Sequence, residues 1–378
     1  MSIAGNEAAK QHVQVAVQTA EQSLRARHPW LNRQDLIGAS ILVGSLLAML
    51  GCAWAYAEGW MPAWLCIPLV AVFASFTHEI EHDLIHWMYF RKRPWAHHLM
   101  MMLAWIARPS TINPWIRRHL HFHHHKHSGT ASDVEERSIT NGEPWGPIRV
   151  LMLADAGFST LVRAARAPDW RRRWRALWRS ALAYFPLGWL HWGLWWAWLA
   201  TWALDAALDG SWSSANWQAF RPTLDFLVVV WIAPNVLRSF CLHAVSSNMH
   251  YFGDVEDGNL VQQTQVLTVW WLWPLQLFCF NFGGTHAIHH FVVKQPFYLR
   301  QWTARPALRA LREVGVRFDD FSSLRRANRW GPTVGARPGS AVAAASAGHP
   351  PGSAPRRSPL PRLPRSRCSG PRSPRRAG

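Results

Sequence analysis

Histidine recurs in three tight groups along this chain: His78-Glu-Ile-Glu-His82, His121-Phe-His-His124-His125 and His286-Ala-Ile-His289-His290. On a helix, residues spaced i, i+3 and i+4 share one face, so each group aims several imidazoles at a common point. Converging imidazoles bind metal. Neutral imidazole suits iron, copper and zinc, and the number of ligands bears on the number of ions. The groups offer His78, His82, His121, His124, His125, His286, His289 and His290, eight residues in all, where one catalytic zinc needs three or four. Two metals are implied. A lone HxxxH on an apolar helix is more often core than ligand, but three groups, two of them sharing the HxxHH spacing, reverse that preference.

Such groups need rigid elements behind them, and the apolar pattern supplies these. Residues 36–57 form a run of 22 mostly apolar residues, long enough to cross a hydrocarbon core of roughly 30 Å as a helix. A turn at Glu58-Gly59 follows, and residues 60–77 return across the membrane, with kinks expected at Pro62 and Pro68. That return delivers His78 to the side where the chain began. Residues 181–204, rich in Trp, and 226–245 are the third and fourth candidate spans. Arg238 interrupts the fourth and is tolerable there only near the interface or in a protein-lined cavity, so this helix is expected to extend beyond the bilayer and carry His243 and His250 towards the metals. Two shorter apolar stretches, 95–107 and 266–282, are expected to lie at the interface or re-enter without crossing.

Charge and composition exclude several classes of function. The formal net charge is +18, and half of it comes from nine arginines in residues 331–378, a Pro/Arg/Ser/Ala-rich tail without Asp or Glu. Such a tail cannot bury a core and is expected to be disordered. No basic and aromatic recognition motif accompanies the charge, which argues against nucleic-acid binding. The 26 tryptophans fit interfacial belts, where an apolar ring keeps one wet edge. Cys52, Cys66, Cys241, Cys279 and Cys368 form no CxxC pair, so disulfide and zinc-ribbon frameworks fall away. Residues 1–30 carry polar and charged residues throughout and lack a secretory apolar core, so the first span is expected to be retained as an anchor.

Orientation follows from the loops. Arg91, Lys92, Arg93, Arg117, Arg118 and the arginines between 163 and 179 fall on the side of the histidine groups, while the opposite loops, near Glu58 and over 205–221, are almost free of basic residues. By the positive-inside rule, the groups and both termini are expected to be cytoplasmic. Within the basic loop, Trp170, Trp174 and Trp178 recur at helical spacing among arginines. They fit either a helix lying on the inner leaflet or a solvated connecting helix. The organisation expected is a cytoplasmic N-terminal segment over 1–35, a membrane-bound domain over 36–302, a cytoplasmic extension over 303–330 and the tail over 331–378.

Boxes, spans and their order together resemble the membrane-bound fatty acid desaturase family, the histidine-box di-iron family. The similarity covers 36 to about 301 and is carried by HEIEH at 78–82, HFHHH at 121–125 followed by Lys126 and Ser128-Gly129, and HAIHH at 286–290. It implies an all-α fold, a four-helix membrane bundle under a cytoplasmic helical cap, two Fe ions, O2 as co-substrate and an acyl chain or other lipid as substrate. It selects the register His121, His124, His125 over the surplus His119, His123 and His127. It also adds His250, in Ser-Ser-Asn248-Met-His250, as a ninth ligand, whereas Asn248 points elsewhere on a regular helix. His86 continues the i+4 ladder from His82, but the family pattern is satisfied without it. Asp133, Glu135 and Glu136, like Glu79 and Glu81, either accept the second N–H of an imidazole or sit in solvated acidic surroundings. No catalytic residue beyond the ligands is expected.

Desaturase, hydroxylase and ketolase share an early hydrogen abstraction from an unactivated carbon. A second abstraction gives an alkene and oxygen rebound an alcohol, so substrate positioning decides between them. Fatty acyl desaturation is the expectation, with lipid or alkane hydroxylation or ketolation as the alternative. His78-Glu79-Ile-Glu-His82 also matches the HExxH zinc metalloprotease pattern, with Glu79 as general base, but that reading leaves six box histidines unused. Flavin and ferredoxin motifs are absent, and His349-Pro-Pro-Gly352 lies in a composition that cannot build a cytochrome b5-like domain. Electrons must therefore come from a separate ferredoxin, rubredoxin or cytochrome b5-type donor.

Overall fold

Long apolar runs without alternation favour helix over strand, and helix dominates the computed structural model, which describes residues 3–209 and 212–331. The tail expected to be disordered lies, beyond Gly331, outside the described residues. Among those residues the only sheet is a two-residue parallel pair, Gln265–Val266 with Arg317–Phe318.

Three helices are long and apolar enough to cross a membrane: Gln34–Ala57, Ala63–Ile85 and Ala215–Met249. The first ends at Glu58-Gly59, where Gly59 adopts φ 73°, a left-handed conformation that costs glycine nothing. The second begins just after Pro62, which stands at its N-cap instead of kinking it, while Pro68 lies inside. The two pack through Met49 and Cys52 against Cys66, Val70 and Ala74. The third is a continuous 35-residue stretch with a π turn at Val228–Ile232. Pro234, just after that turn, has no N–H to donate. The side chain of Asn235 donates to the carbonyl oxygens of Trp231, at 2.9 Å, and Ala107, at 3.0 Å, tying this helix to the end of Pro94–Ala107.

The span expected over 181–204 is cut by Phe185-Pro186, which separates the helices Trp170–Tyr184 and Leu187–Leu208. Leu187–Leu208 has 22 residues, enough to cross, but six of them are tryptophans whose indole N–H lowers its hydropathy. It is therefore outside the three helices named above. It packs through Leu194, Trp195 and Trp198 on Leu224, Val228 and Ile232 of the long helix, and leaves Trp189, Trp196, Leu199 and Trp202 exposed. The preceding helix, Trp170–Tyr184, buries no residue, and its Trp170, Trp174 and Trp178 all face outward. The shorter apolar stretches become the 14-residue helix Pro94–Ala107 and a broken segment of one strand and short turns up to Leu277.

The N-terminal helix Ile3–Arg27 is an integral part of the structure. Its Ala9, Val13 and Val17 pack on Ala287, Ile288 and Phe291 and on Ala307, Ala310 and Leu311 of helix Ala304–Glu313. Val13 and Val17 are wholly buried, each contributing roughly 1.5–3 kcal/mol. The first helix thus braces the element that carries the third histidine box.

Candidate metal centre

Four backbone elements meet at the histidines. Helix Ala63–Ile85 carries His78 and His82, and His86 stands at its C-cap. Helix Pro114–His127 carries His121, His124 and His125. It opens with Pro at its first position, and the Asn113 side chain accepts from the Trp115 N–H at 3.0 Å, a strong start signal. Helix Phe282–Phe291 carries His286, His289 and His290. His250 ends the long helix in extended conformation, φ −93° and ψ 126°.

The imidazoles fall into two buried groups of four. His82, His86, His121 and His289 form one, and His124, His250, His286 and His290 the other; within each group the available ligand atoms lie within 4.8 Å of one another. Beside the first group, the Nε2 atoms of His86, His121, His125 and His289 close a ring with edges of 3.0, 3.1, 2.9 and 3.1 Å. A neutral Nε2 has either one proton or one lone pair, so it cannot bond both of its neighbours in such a ring. A central cation removes the conflict. Four nitrogens on edges of about 3 Å surround a point about 2 Å from each, the length of an imidazole–metal bond. In the second group the Nε2 atoms of His250 and His286 lie 3.4 and 3.3 Å from that of His290. The residues present therefore fit two metal ions with all-nitrogen first shells.

Acceptors behind the ligands fix their orientation. His121 Nδ1 donates to Glu135 at 3.0 Å and His124 Nδ1 to Asp133 at 2.8 Å. His250 Nδ1 lies 3.0 Å from the carbonyl oxygen of Ser246 and 3.3 Å from Glu136. His290 Nδ1 is 3.3 Å from the Gln263 side-chain oxygen. Asp133 also caps helix Val134–Ile139, so the loop after the second box is built around one buried carboxylate. Burial, together with neighbouring imidazoles, pulls His86 down to about 2 and His250 to about 4, which keeps them neutral as ligands must be. Burial works against protonation of His124 too, but the Asp133 carboxylate outweighs it and pushes this group up to about 9. A metal binding there has to displace that proton.

The acidic residues of the first box do different work. Glu79 and Asp83, one turn apart, both accept from Arg300 Nη2, at 3.3 and 3.5 Å. Glu81, on another face of the same helix, accepts from Arg108 and, at 2.9 Å, from Arg117. These buried pairs hold the helix in place and leave its imidazoles free.

His82, His121, His124, His250, His286, His289 and His290 are each in one of the two groups, and His125 completes the nitrogen ring. His78 is in neither group. Its Nδ1 accepts from Arg108 Nη1 at 3.1 Å, which puts the proton on Nε2, and that atom has no hydrogen-bond partner. His86, which the family pattern does not need, joins His82 in the first group. The signal was in the sequence, since His82-Asp83-Leu-Ile-His86 repeats the HxxxH spacing one turn later and the helix presents both registers. Glu79, the general base of an HExxH zinc site, accepts from Arg300 at 3.3 Å. His119 and His123 are exposed and His127 is half-exposed, as the chosen register of the second box requires. Asn248 donates to the carbonyl oxygen of Ala244 at 2.7 Å. Arg108, Arg300 and Gln263 had no motif to announce them.

A cleft with a cavity volume of about 90 Å³ opens beside these groups, its wall including His78, His82, His121, His124 and His286. Ile112, Ile139, Tyr184, Leu242 and Phe282 supply its apolar lining. No curated protein matches the chain. The sequence pattern of the fatty acid desaturase family matches residues 58–322, a stretch that contains every histidine of both groups and well over half the chain. With this match over the region that builds the clustered histidines, the chain belongs to the fatty acid desaturase family.

Proposed function

We propose that this chain is a membrane-bound, O2-dependent di-iron oxidoreductase that introduces a double bond into a lipid acyl chain. The observation that carries the reading is the pair of buried four-histidine groups beside an apolar-lined cleft. His82, His86, His121 and His289, with His125 beside them, would hold one iron, and His124, His250, His286 and His290 the other. Bound there, the irons supply reduction of O2 and removal of hydrogen from an unactivated carbon, with electrons from a separate ferredoxin, rubredoxin or cytochrome b5-type donor. The protein's part is to position and to exclude. Leu242, Phe282, Ile112 and Ile139 give an alkyl chain apolar surface, while Asp133, Glu135 and Gln263 hold imidazole Nδ1 protons so that Nε2 lone pairs face inward.

The test is expression of the intact chain in a host of known lipid composition, with metal analysis of the purified protein. The expected result is iron in the protein and a new mono-unsaturated acyl chain in the lipids. A new hydroxylated chain instead would assign the hydroxylase reading, and zinc in place of iron would overturn the proposal.

For the membrane arrangement we propose four spans, the fourth being Leu187–Leu208, whose exposed Trp and Leu side chains suit a bilayer and whose inner face packs on the long helix. The histidine groups and both termini then face the cytoplasm, under a helical cap that includes the N-terminal helix. Cys52, Cys66, Cys241 and Cys279 are buried, so with Cys368 replaced by serine only introduced thiols should react. Lys92→Cys is expected to resist an impermeant maleimide added outside intact cells, and Asn216→Cys to be labelled. Labelling of both or of neither would overturn this topology.

A further inference from the structure

Arg238 is almost completely buried, at 1% exposure, yet among the described residues no carboxylate lies within salt-bridge distance of it. Its Nη2 donates to Ser239 Oγ at 2.8 Å and more weakly to Ser110 Oγ at 3.4 Å, and its Nε reaches Asn235 Oδ1 at 3.4 Å. Its Nη1 is buried without a hydrogen-bond partner. A buried charge left unpaired is costly and normally finds a partner. The neighbouring cations have theirs, since Arg108 and Arg117 share Glu81 and Arg117 also meets Glu135. The acids on the cleft wall are committed elsewhere, with Glu135 on His121 and Arg117 and Glu136 beside His250.

Arg238, Ser110 and Ser239 all line the cleft that the metal-facing histidines line. The two hydroxyls lie 3.0 Å apart, so one guanidinium edge and two hydroxyls face a single chamber. Asn235 and the π turn one helical turn earlier fix the arginine at this height in the long helix.

We propose that Arg238, with Ser110 and Ser239, binds the oxyanion of the substrate, a carboxylate or phosphate at the end of an alkyl chain, inside the same chamber as the metal groups. The proposal rests on the oxidase reading only for what is then oxidised; binding itself does not depend on it. The guanidinium supplies the charge and its unpartnered Nη1 the N–H donors that such oxygens accept. The alkyl chain would follow Leu242 and Phe282, and the oxidised carbon would lie in the part of the chain nearer the polar end. Arg238 is a positioning residue in this scheme.

The test uses full-length protein in phosphatidylcholine nanodiscs, with equilibrium binding of palmitate, hexadecyl phosphate and palmitic acid methyl ester. Wild type is expected to bind at least one anion about ten- to a hundredfold more tightly than the ester, and the tighter of the two identifies carboxylate or phosphate as the source. Arg238→Gln should erase that preference while leaving ester binding and iron content unchanged, and Arg238→Lys should restore part of it. In turnover, Arg238→Gln should raise KM for the anion and scatter the position of oxidation. Equal affinity of wild type for anions and ester would overturn the proposal, and this measurement needs no variant to fold. An undiminished preference in Arg238→Gln would also overturn it. Failure of the oxidase reading is separate: it would show as absent product with the anion preference intact.

Discussion

Replacing His86 with alanine is expected to strip the protein of half or more of its iron and to lower activity at least ~100-fold. Residues that merely orient a ligand already cost about 10- to 100-fold when removed. His78→Ala, one motif position earlier, is expected to keep its iron. The contrast comes from the nitrogens. His86 Nε2 lies 3.0 Å from His121 Nε2 and 3.1 Å from His289 Nε2, inside the converging set. His78 instead spends its Nδ1 lone pair on Arg108. Metal analysis of both variants, purified from the membrane in parallel, decides the matter. If His78→Ala lost iron and His86→Ala kept it, the first-box register proposed here would be wrong, and the HEIEH spacing would be the operative one.

The contrast between His78 and His86 shows what sequence reveals and what it hides. Spacing identifies which histidines share a helix face, and so the second and third boxes were legible, because HxxHH places all three imidazoles on one side. The first box was ambiguous for the same reason. His78, His82 and His86 form an unbroken i+4 ladder, and only the height at which the other helices cross selects two of the three. The helices Gln34–Ala57 and Ala63–Ile85 were legible from apolar length alone, whereas the run read as one helix over 181–204 is divided at Phe185-Pro186 into two. The roles of the acids in the first box were hidden. Glu79, Glu81 and Asp83 sit among ligands in sequence, yet they face Arg300, Arg108 and Arg117, residues up to some two hundred positions away. For Asp133 and Glu135 the sequence left two readings, an acceptor for imidazole or a solvated loop, and the structure sets them on His124 and His121. Long-range charge pairing leaves no periodicity for a local pattern to detect.

Glu81 gives the second large effect, and it concerns folding. Its carboxylate is fully buried and accepts from both Arg108 and Arg117, which in turn reach His78 and Glu135. Glu81→Ala would leave a buried guanidinium, Arg108, without its counter-charge. Removing one partner of a buried pair costs about 3–5 kcal/mol, far more than the pair contributes relative to apolar replacements. Thermal unfolding in detergent should therefore show a large fall in midpoint for Glu81→Ala, with much of the protein lost from the membrane during expression. Glu81→Gln, which retains shape and one acceptor, should lose less. The double change Glu81→Gln with Arg108→Gln should recover part of the loss, because neither partner then remains charged and unpaired, and a double-mutant cycle would measure that coupling. A Glu81→Ala protein as stable as wild type would mean that water reaches Arg108 and solvates it. The helix carrying His82 and His86 would then be held by Arg300 and apolar packing alone, and the metal centre would not depend on the charge lattice beneath it.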